Sequence, residues 1–181
     1  MKVIAVLGSP RKESRSSMLA ERIVQGAREA GHEVVVYRIN EMNVRGCQAC
    51  RYCKENGVDC ILEDDLKPYW KDLHECGALI LAAPNYCSQV SGPMITFMNR
   101  HYCIMGLNGT TLEPGKIKLV GVFSQGRPEA DHSADASFDW YLGDFLARKM
   151  VMTEKFLIGR DSDLSEGGEL MARAYALGRE L

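Results

Sequence analysis

The sequence predicts an α/β domain built on a doubly wound, five-stranded parallel sheet with helices on both faces. Three observations carry that expectation. Short β-branched apolar runs recur along the chain, and stretches of helical periodicity lie between them. The length, 181 residues, suits one domain. Strands that alternate with helices imply right-handed βαβ units and a parallel sheet covered on both sides.

Taken in order, Val3-Ile4-Ala5-Val6-Leu7 is continuous and ends in Gly8-Ser9-Pro10, as a strand buried on both faces would. Leu19, Ala20, Ile23, Val24 and Ala27 then repeat at helical spacing until Gly31. Val34-Val35-Val36-Tyr37 is the second strand. Residues 66–75 read as a helix with Pro68 in its first turn, and Ala78-Leu79-Ile80-Leu81-Ala82 as the third strand. Residues 93–100 read as helix, 118–123 as the fourth strand, 137–149 as an amphipathic helix, 151–158 as the fifth strand and 169–179 as the closing helix. Five strands in a chain this short suggest the flavodoxin-like order 2-1-3-4-5. The whole chain, residues 1–181, is expected to be one such domain, with a cysteine-rich loop inserted at about residues 40–65. That loop and residues 101–115 are longer than the fold requires, which marks both as functional candidates.

Composition narrows the function classes. The chain is 46% hydrophobic and 25% charged with a net charge of −2, which sets disorder and collagen-like or coiled-coil structure aside. A near-neutral balance argues against nucleic-acid and membrane-surface partners. No stretch approaches the roughly 18 apolar residues of a membrane helix, and the first apolar run lacks the features of a signal segment. The expectation is a soluble cytoplasmic protein, whose seven cysteines are metal ligands or thiols rather than a disulfide framework.

The turn after the first strand, Gly8-Ser9-Pro10-Arg11-Lys12-Glu13-Ser14-Arg15-Ser16-Ser17, leads into a helix. In open α/β sheets ligands bind beyond the carboxyl ends of the strands, near the point where strand order reverses. A helix N-terminus there presents free N–H groups to a phosphate. Ser9, Ser14, Ser16 and Ser17 add hydroxyls, and Arg11 suits a phosphate dianion. GxGxxG and GK[ST] are both absent, so a terminal phosphomonoester such as that of FMN fits better than NAD or ATP. The alternative is a polar turn whose serines only cap the helix. Two further loops fall at the same edge. Pro84-Asn85-Tyr86-Cys87 follows the third strand, and Ser124-Gln125-Gly126 the fourth, where a glycine admits close approach of a ring.

Cys47-x2-Cys50-x2-Cys53-x6-Cys60 is the sharpest local signal. Two-residue spacings let successive thiolates face one polymetallic centre, as in ferredoxin-type runs that hold [4Fe–4S]. Reduced thiols, a redox disulfide and zinc are the alternatives, zinc preferring two separated CxxC pairs. Cys76, Cys87 and Cys103 read as isolated thiols. His101 and His132 lie in loops near the predicted ligand edge, and no catalytic acid or base is assigned. Glu63-Asp64-Asp65 reads as a cap on the next helix.

Gly8-Ser9-Pro10-Arg11-Lys12 with Ser14 and Ser16, then Pro84-x-Tyr86, Ser91-Gly92-x-Met94-x-x-Phe97 and Cys60-x-x-x-Asp64-Asp65, resemble the NADPH-dependent FMN reductase family, especially its iron-sulfur flavoprotein branch. The resemblance covers roughly residues 1–126. It departs at Arg15, where Asn is usual, at Ile95, for a frequent Lys, and at Asn99, for a frequent Asp. It implies FMN bound non-covalently, its phosphate on Ser9, Arg11, Ser14, Ser16 and Ser17 with Arg15 contributing an N–H or charge. The ring would lie against Pro84, Asn85, Tyr86 and Cys87 and against Ser124, Gln125 and Gly126. The branch implies one [4Fe–4S] cluster per subunit on Cys47, Cys50, Cys53 and Cys60. It further implies NAD(P)H or ferredoxin as donor, a quinone, flavin or oxygen species as small-molecule acceptor, and a homodimer or homotetramer. Two rival readings are a non-enzymatic electron-transfer flavoprotein and a colourless zinc-stabilised binding domain.

Overall fold

A computed structural model of the protein describes residues 1–106 and 109–181. Five parallel strands form the sheet: β1 (Lys2–Leu7), β2 (Glu33–Arg38), β3 (Cys76–Tyr86), β7 (Lys118–Ser124) and β8 (Val151–Ile158). Their spatial order is β2-β1-β3-β7-β8, the order 2-1-3-4-5 expected for the five long strands. Between β3 and β7 lie three two-residue strands, β4 (Gln89–Val90), β5 (Met105–Gly106) and β6 (Gly109–Thr110). Among the described residues only β4 of these three pairs with the main sheet, antiparallel to the end of β3.

The period of two along each central strand divides the core. Val3, Ala5, Leu7, Ile80, Ala82, Val120 and Val122 face one side, where α1 (Arg15–Glu29) and α6 (Glu169–Glu180) pack. Ile4, Val6, Leu79, Leu81, Leu119 and Phe123 face the other, covered by α3 (Lys67–Glu75), α4 (Gly92–Arg100) and α5 (Asp135–Ala147). Burial on both faces is why these strands are apolar without alternation. The α1–α6 crossing is tight because it is built on glycine. A Cβ on Gly178 would fall 2.0 Å from the Ile23 carbonyl oxygen, and one on Gly26 2.2 Å from that of Tyr175.

Several expectations are revised. The cysteine-rich stretch is not bare loop: it holds a five-residue helix, α2 (Tyr52–Asn56). Glu63-Asp64-Asp65 does not serve mainly as a helix cap. Asp64 accepts the Leu66 N–H (3.1 Å), but it also accepts the Arg45 N–H (3.0 Å) and pairs with Arg100. Asp65 accepts the Asn43 N–H (2.7 Å). The acidic residues therefore close the base of the cysteine loop. His101 does not face the ligand edge. It is fully buried, its Nε2 2.7 Å from the Tyr69 hydroxyl and its Nδ1 2.9 Å from the Phe97 carbonyl. Part of the 101–115 loop, at 107–108, lies outside the described residues. Among the described residues no helix is long and apolar enough to cross a membrane.

Candidate functional site

The site begins where β1 stops. Leu7 pairs with Ala82, whereas β3 and β7 continue in register to Pro84 and Ser124. Their overhang leaves a step above the end of β1, at the reversal of strand order. The chain leaves β1 through Gly8, whose N–H donates to the Ala82 carbonyl (2.8 Å) and whose carbonyl accepts the Ser91 hydroxyl (2.7 Å). A Cβ on Gly8 would lie 2.0 Å from Met94 Cγ, so this exit requires glycine.

Beyond Gly8 the turn folds onto itself. The Arg11 N–H donates to Ser9 Oγ (3.1 Å). Ser14 caps α1, its Oγ accepting the Ser17 N–H (3.1 Å) and donating to Ser17 Oγ (2.8 Å). The first turn of α1 carries no acidic residue, so no charge of the helix's own first turn offsets its positive dipole end. Arg15 donates through Nη2 to the Ser162 carbonyl, while its buried Nε has no partner.

The second wall is a hairpin. Asn85 pairs with Val90 and Tyr86 with Gln89 across a two-residue turn. In that turn Cys87 and Ser88 both have left-handed backbone, with φ of 50° and 60°, the pattern of a type I′ hairpin. Asn85 Oδ1 is buried without a hydrogen-bond partner. The third wall is fixed by Gln125. Its N–H reaches the Ile158 carbonyl (2.8 Å), and its side-chain amide donates to the carbonyls of Pro128 (2.9 Å) and Asp131 (2.6 Å).

These walls enclose one cleft of about 330 Å³, within the range of small-molecule sites. Ser9, Arg11, Ser14 and Arg15 from the first loop, Pro84, Asn85 and Tyr86 from the second, and Ser124, Gln125 and Gly126 from the third all line it. Three expected residues do not. Ser16 and Ser17 are buried at the start of α1, leaving their hydroxyls inside the cap. Cys87 is exposed at the hairpin tip. Two residues that the sequence analysis missed, Glu13 and Arg160, complete the lining. Arg160 lies just beyond β8, so the carboxyl-edge rule extended to the fifth strand would have found it.

The cysteine motif forms a second locus. Cys47, Cys50, Cys53 and Cys60 line one small cavity of about 10 Å³ together with Cys103, Arg100 and Tyr102. Cys103 is thus not an isolated thiol. Ala49 and Arg51 take φ of 51° and 60°, so left-handed residues alternate through the motif and turn the chain around the cavity. Burial pushes the Cys53 thiol above its ordinary value and Cys103 up to about 12. All seven cysteines are unpaired. Among the described residues no three His, Cys, Asp or Glu side chains stand close enough together to hold a metal ion.

Comparisons with known proteins bear on the family and the fold. Residues 1–161 match the family described as NADPH-dependent FMN reductase, a longer stretch than the motifs alone suggested. An iron-sulfur flavoprotein of Archaeoglobus fulgidus is 32% identical over 100 residues, 55% of this chain and 45% of that protein. One of Methanocaldococcus jannaschii is also 32% identical over 100 residues, covering 51% of its length. The chain thus matches about half the length of these curated relatives. Among solved structures, an NAD(P)H:quinone oxidoreductase from Methanothermobacter marburgensis superposes with a TM-score of 0.76 at 21% identity, covering 99% of this chain and 95% of that one. An azoreductase from Bacillus anthracis gives 0.71 at 14% identity, covering 99% and 97%. At these identities the structures speak to the fold.

Proposed function

The chain belongs to the NADPH-dependent FMN reductase family, and from that premise we propose an oxidoreductase that holds FMN in the cleft above β1. The observation that carries this reading is the convergence of the three loops on one cleft. Bound there, FMN supplies hydride or single-electron transfer at its ring.

The protein's own residues supply the binding. The N–H groups at the start of α1 and the Ser9 and Ser14 hydroxyls suit a phosphate, with Arg11, Arg15 and Arg160 as cations around it. Ser16 contributes its backbone N–H rather than its hydroxyl, while the Ser17 N–H stays with the Ser14 cap. The unpartnered Arg15 Nε and Asn85 Oδ1 fit a polar ligand, because a buried polar atom without a partner costs about 1–3 kcal/mol. Asn85 Oδ1 is an acceptor suited to the imide N–H of a flavin ring, which would lie between Pro84–Tyr86 and Ser124–Gly126.

We also propose that Cys47, Cys50, Cys53 and Cys60 take one [4Fe–4S] cluster. The all-thiol donor set, the shared cavity and the likeness to curated iron-sulfur flavoproteins support this. A cavity of about 10 Å³ is roughly one water-sized probe, so cluster uptake in this reading moves the loop outward to widen it. The donor in this reading is NAD(P)H or ferredoxin and the acceptor a quinone, flavin or oxygen species. The working form is a cytoplasmic homodimer or homotetramer, for which Trp140, 57% exposed on α5, is a candidate contact.

Titration of the flavin-free chain with FMN and with riboflavin, read by quenching of flavin fluorescence, tests the cleft. FMN is expected to bind far more tightly, and Arg11→Ala to weaken it about tenfold, the value of one charge-assisted hydrogen bond at about 1.5 kcal/mol. Equal affinity for the two flavins refutes the phosphate assignment. Anaerobic iron and sulfide analysis separates the cluster from zinc or free thiols.

A further inference from the structure

The guanidinium of Arg100 is the least accounted-for charge in the protein. Its side chain is completely buried at the end of α4, among the residues that line the cysteine cavity. Nη1 is well used: it donates to the Arg45 carbonyl (2.8 Å) and pairs with the Asp64 carboxylate. Nε and Nη2 are buried with no partner. The Asp64 oxygens bond the Arg45 and Leu66 N–H groups and Nη1, and neither of them meets Nε or Nη2. Two buried donor nitrogens of a cation without acceptors are expensive, and the cavity that Arg100 helps to line is shared by five cysteines. Burial alone would lower the Arg100 pKa, but the Asp64 carboxylate bonded to it and the neighbouring Cys60 outweigh burial and keep the group charged.

Resting on the cluster reading above, we propose that Arg100 donates these two N–H groups to the sulfurs of the cluster bound by Cys47, Cys50, Cys53 and Cys60, and so raises its reduction potential. A four-thiolate cluster is anionic and becomes more so on taking up one electron. Donors aimed at its sulfurs therefore favour the reduced form, one of the recognised levers on such potentials. Arg100 acts through the cluster's ligands and is a positioning and tuning residue. Asp64 limits its effect by offsetting the positive charge, while its bond to Nη1 holds the guanidinium beside the cysteine cavity. The pair thus also ties the cysteine loop to α4, across 36 residues of sequence.

The test is a potentiometric titration of the whole chain, reconstituted anaerobically with iron and sulfide, with dithionite as reductant and ferricyanide as oxidant, followed by electron paramagnetic resonance. Arg100→Lys keeps a cation for Asp64 but removes the fork of N–H donors. The reduced form is expected to weaken about tenfold, a fall of about 59 mV for a one-electron couple. Asp64→Asn keeps Arg100 and removes the offsetting charge, so the potential should rise. It remains informative if Arg100→Lys fails to load. A loaded Arg100→Lys chain at the unmodified potential overturns the inference, as does a fall or no change in Asp64→Asn. An unmodified chain that binds FMN but takes up no iron overturns the cluster reading itself, and is distinguished by iron content before any potential is measured.

Discussion

Replacing Gly8 with alanine puts a methyl group where Met94 already is. A Cβ at that position falls 2.0 Å from Met94 Cγ, 2.5 Å from its Sδ and 3.2 Å from Ser91 Oγ. Neither neighbour retreats freely. Met94 is fully buried, and the Ser91 hydroxyl is engaged with the Gly8 carbonyl at 2.7 Å. Overpacking of this kind costs about 1–3 kcal/mol. At about 2–4 °C per kcal/mol for a chain of this size, thermal unfolding should move down by about 2–12 °C. Met94→Ala alone opens a cavity at a cost of about 2–5 kcal/mol. In the double variant the new methyl enters that cavity, so the two losses should fall short of their sum by about 0.5–3 kcal/mol. Thermal unfolding of the four chains in one buffer measures the cycle. Strict additivity, or a Gly8→Ala chain that melts with the unmodified one, refutes the claim that close approach to Met94 is what demands glycine here.

Cys50→Ala should abolish iron uptake while leaving FMN affinity unchanged, measured by iron analysis and fluorescence titration on one preparation. Arg160→Ala should weaken FMN by no more than about fivefold, the roughly 0.2–1 kcal/mol of an exposed ion pair, and leave riboflavin binding unchanged. Acid should destabilise the protein through His101, whose pKa burial depresses to about 3. The unfolded ring protonates near its ordinary value of about 6.5. Between those values the unfolded chain holds the extra proton, so stability falls as pH is lowered through that window, by up to about 1.4 kcal/mol per pH unit. Urea midpoints from pH 7 to 4.5 should show the slope, and His101→Gln should flatten it.

The strands were legible because those buried on both faces spell themselves as unbroken apolar runs. Val3–Leu7 and its two central counterparts in β3 and β7 carry that signature, and Val151–Ile158 was bounded correctly. The end of β3 was hidden. Ala83, Pro84 and Asn85 are poor strand formers, and Pro84 is accommodated only because it lies past the end of β1, where no neighbouring strand needs its N–H. The first loop was legible through its residue types. The direction of each hydroxyl was not, and Ser16 and Ser17 turned inward with the helix cap. Cys103 and Arg100 became part of the cysteine locus only through tertiary folding. A lone arginine in the stripe of α4 reads as a surface residue until Asp64 is brought to it.

The glycine crossing of α1 and α6 also orders events in time. The helix that follows the first cleft loop packs through Gly26 against α6, whose Gly178 lies about 150 residues later in the chain. At about 5–20 residues per second, the first loop and helix wait roughly 8–30 s during synthesis before the partner that buries Ile23 and Ala27 exists. For that interval the apolar side of α1 has only the growing sheet to lean on, and the nascent chain is at its most vulnerable to proteases and to association with its neighbours.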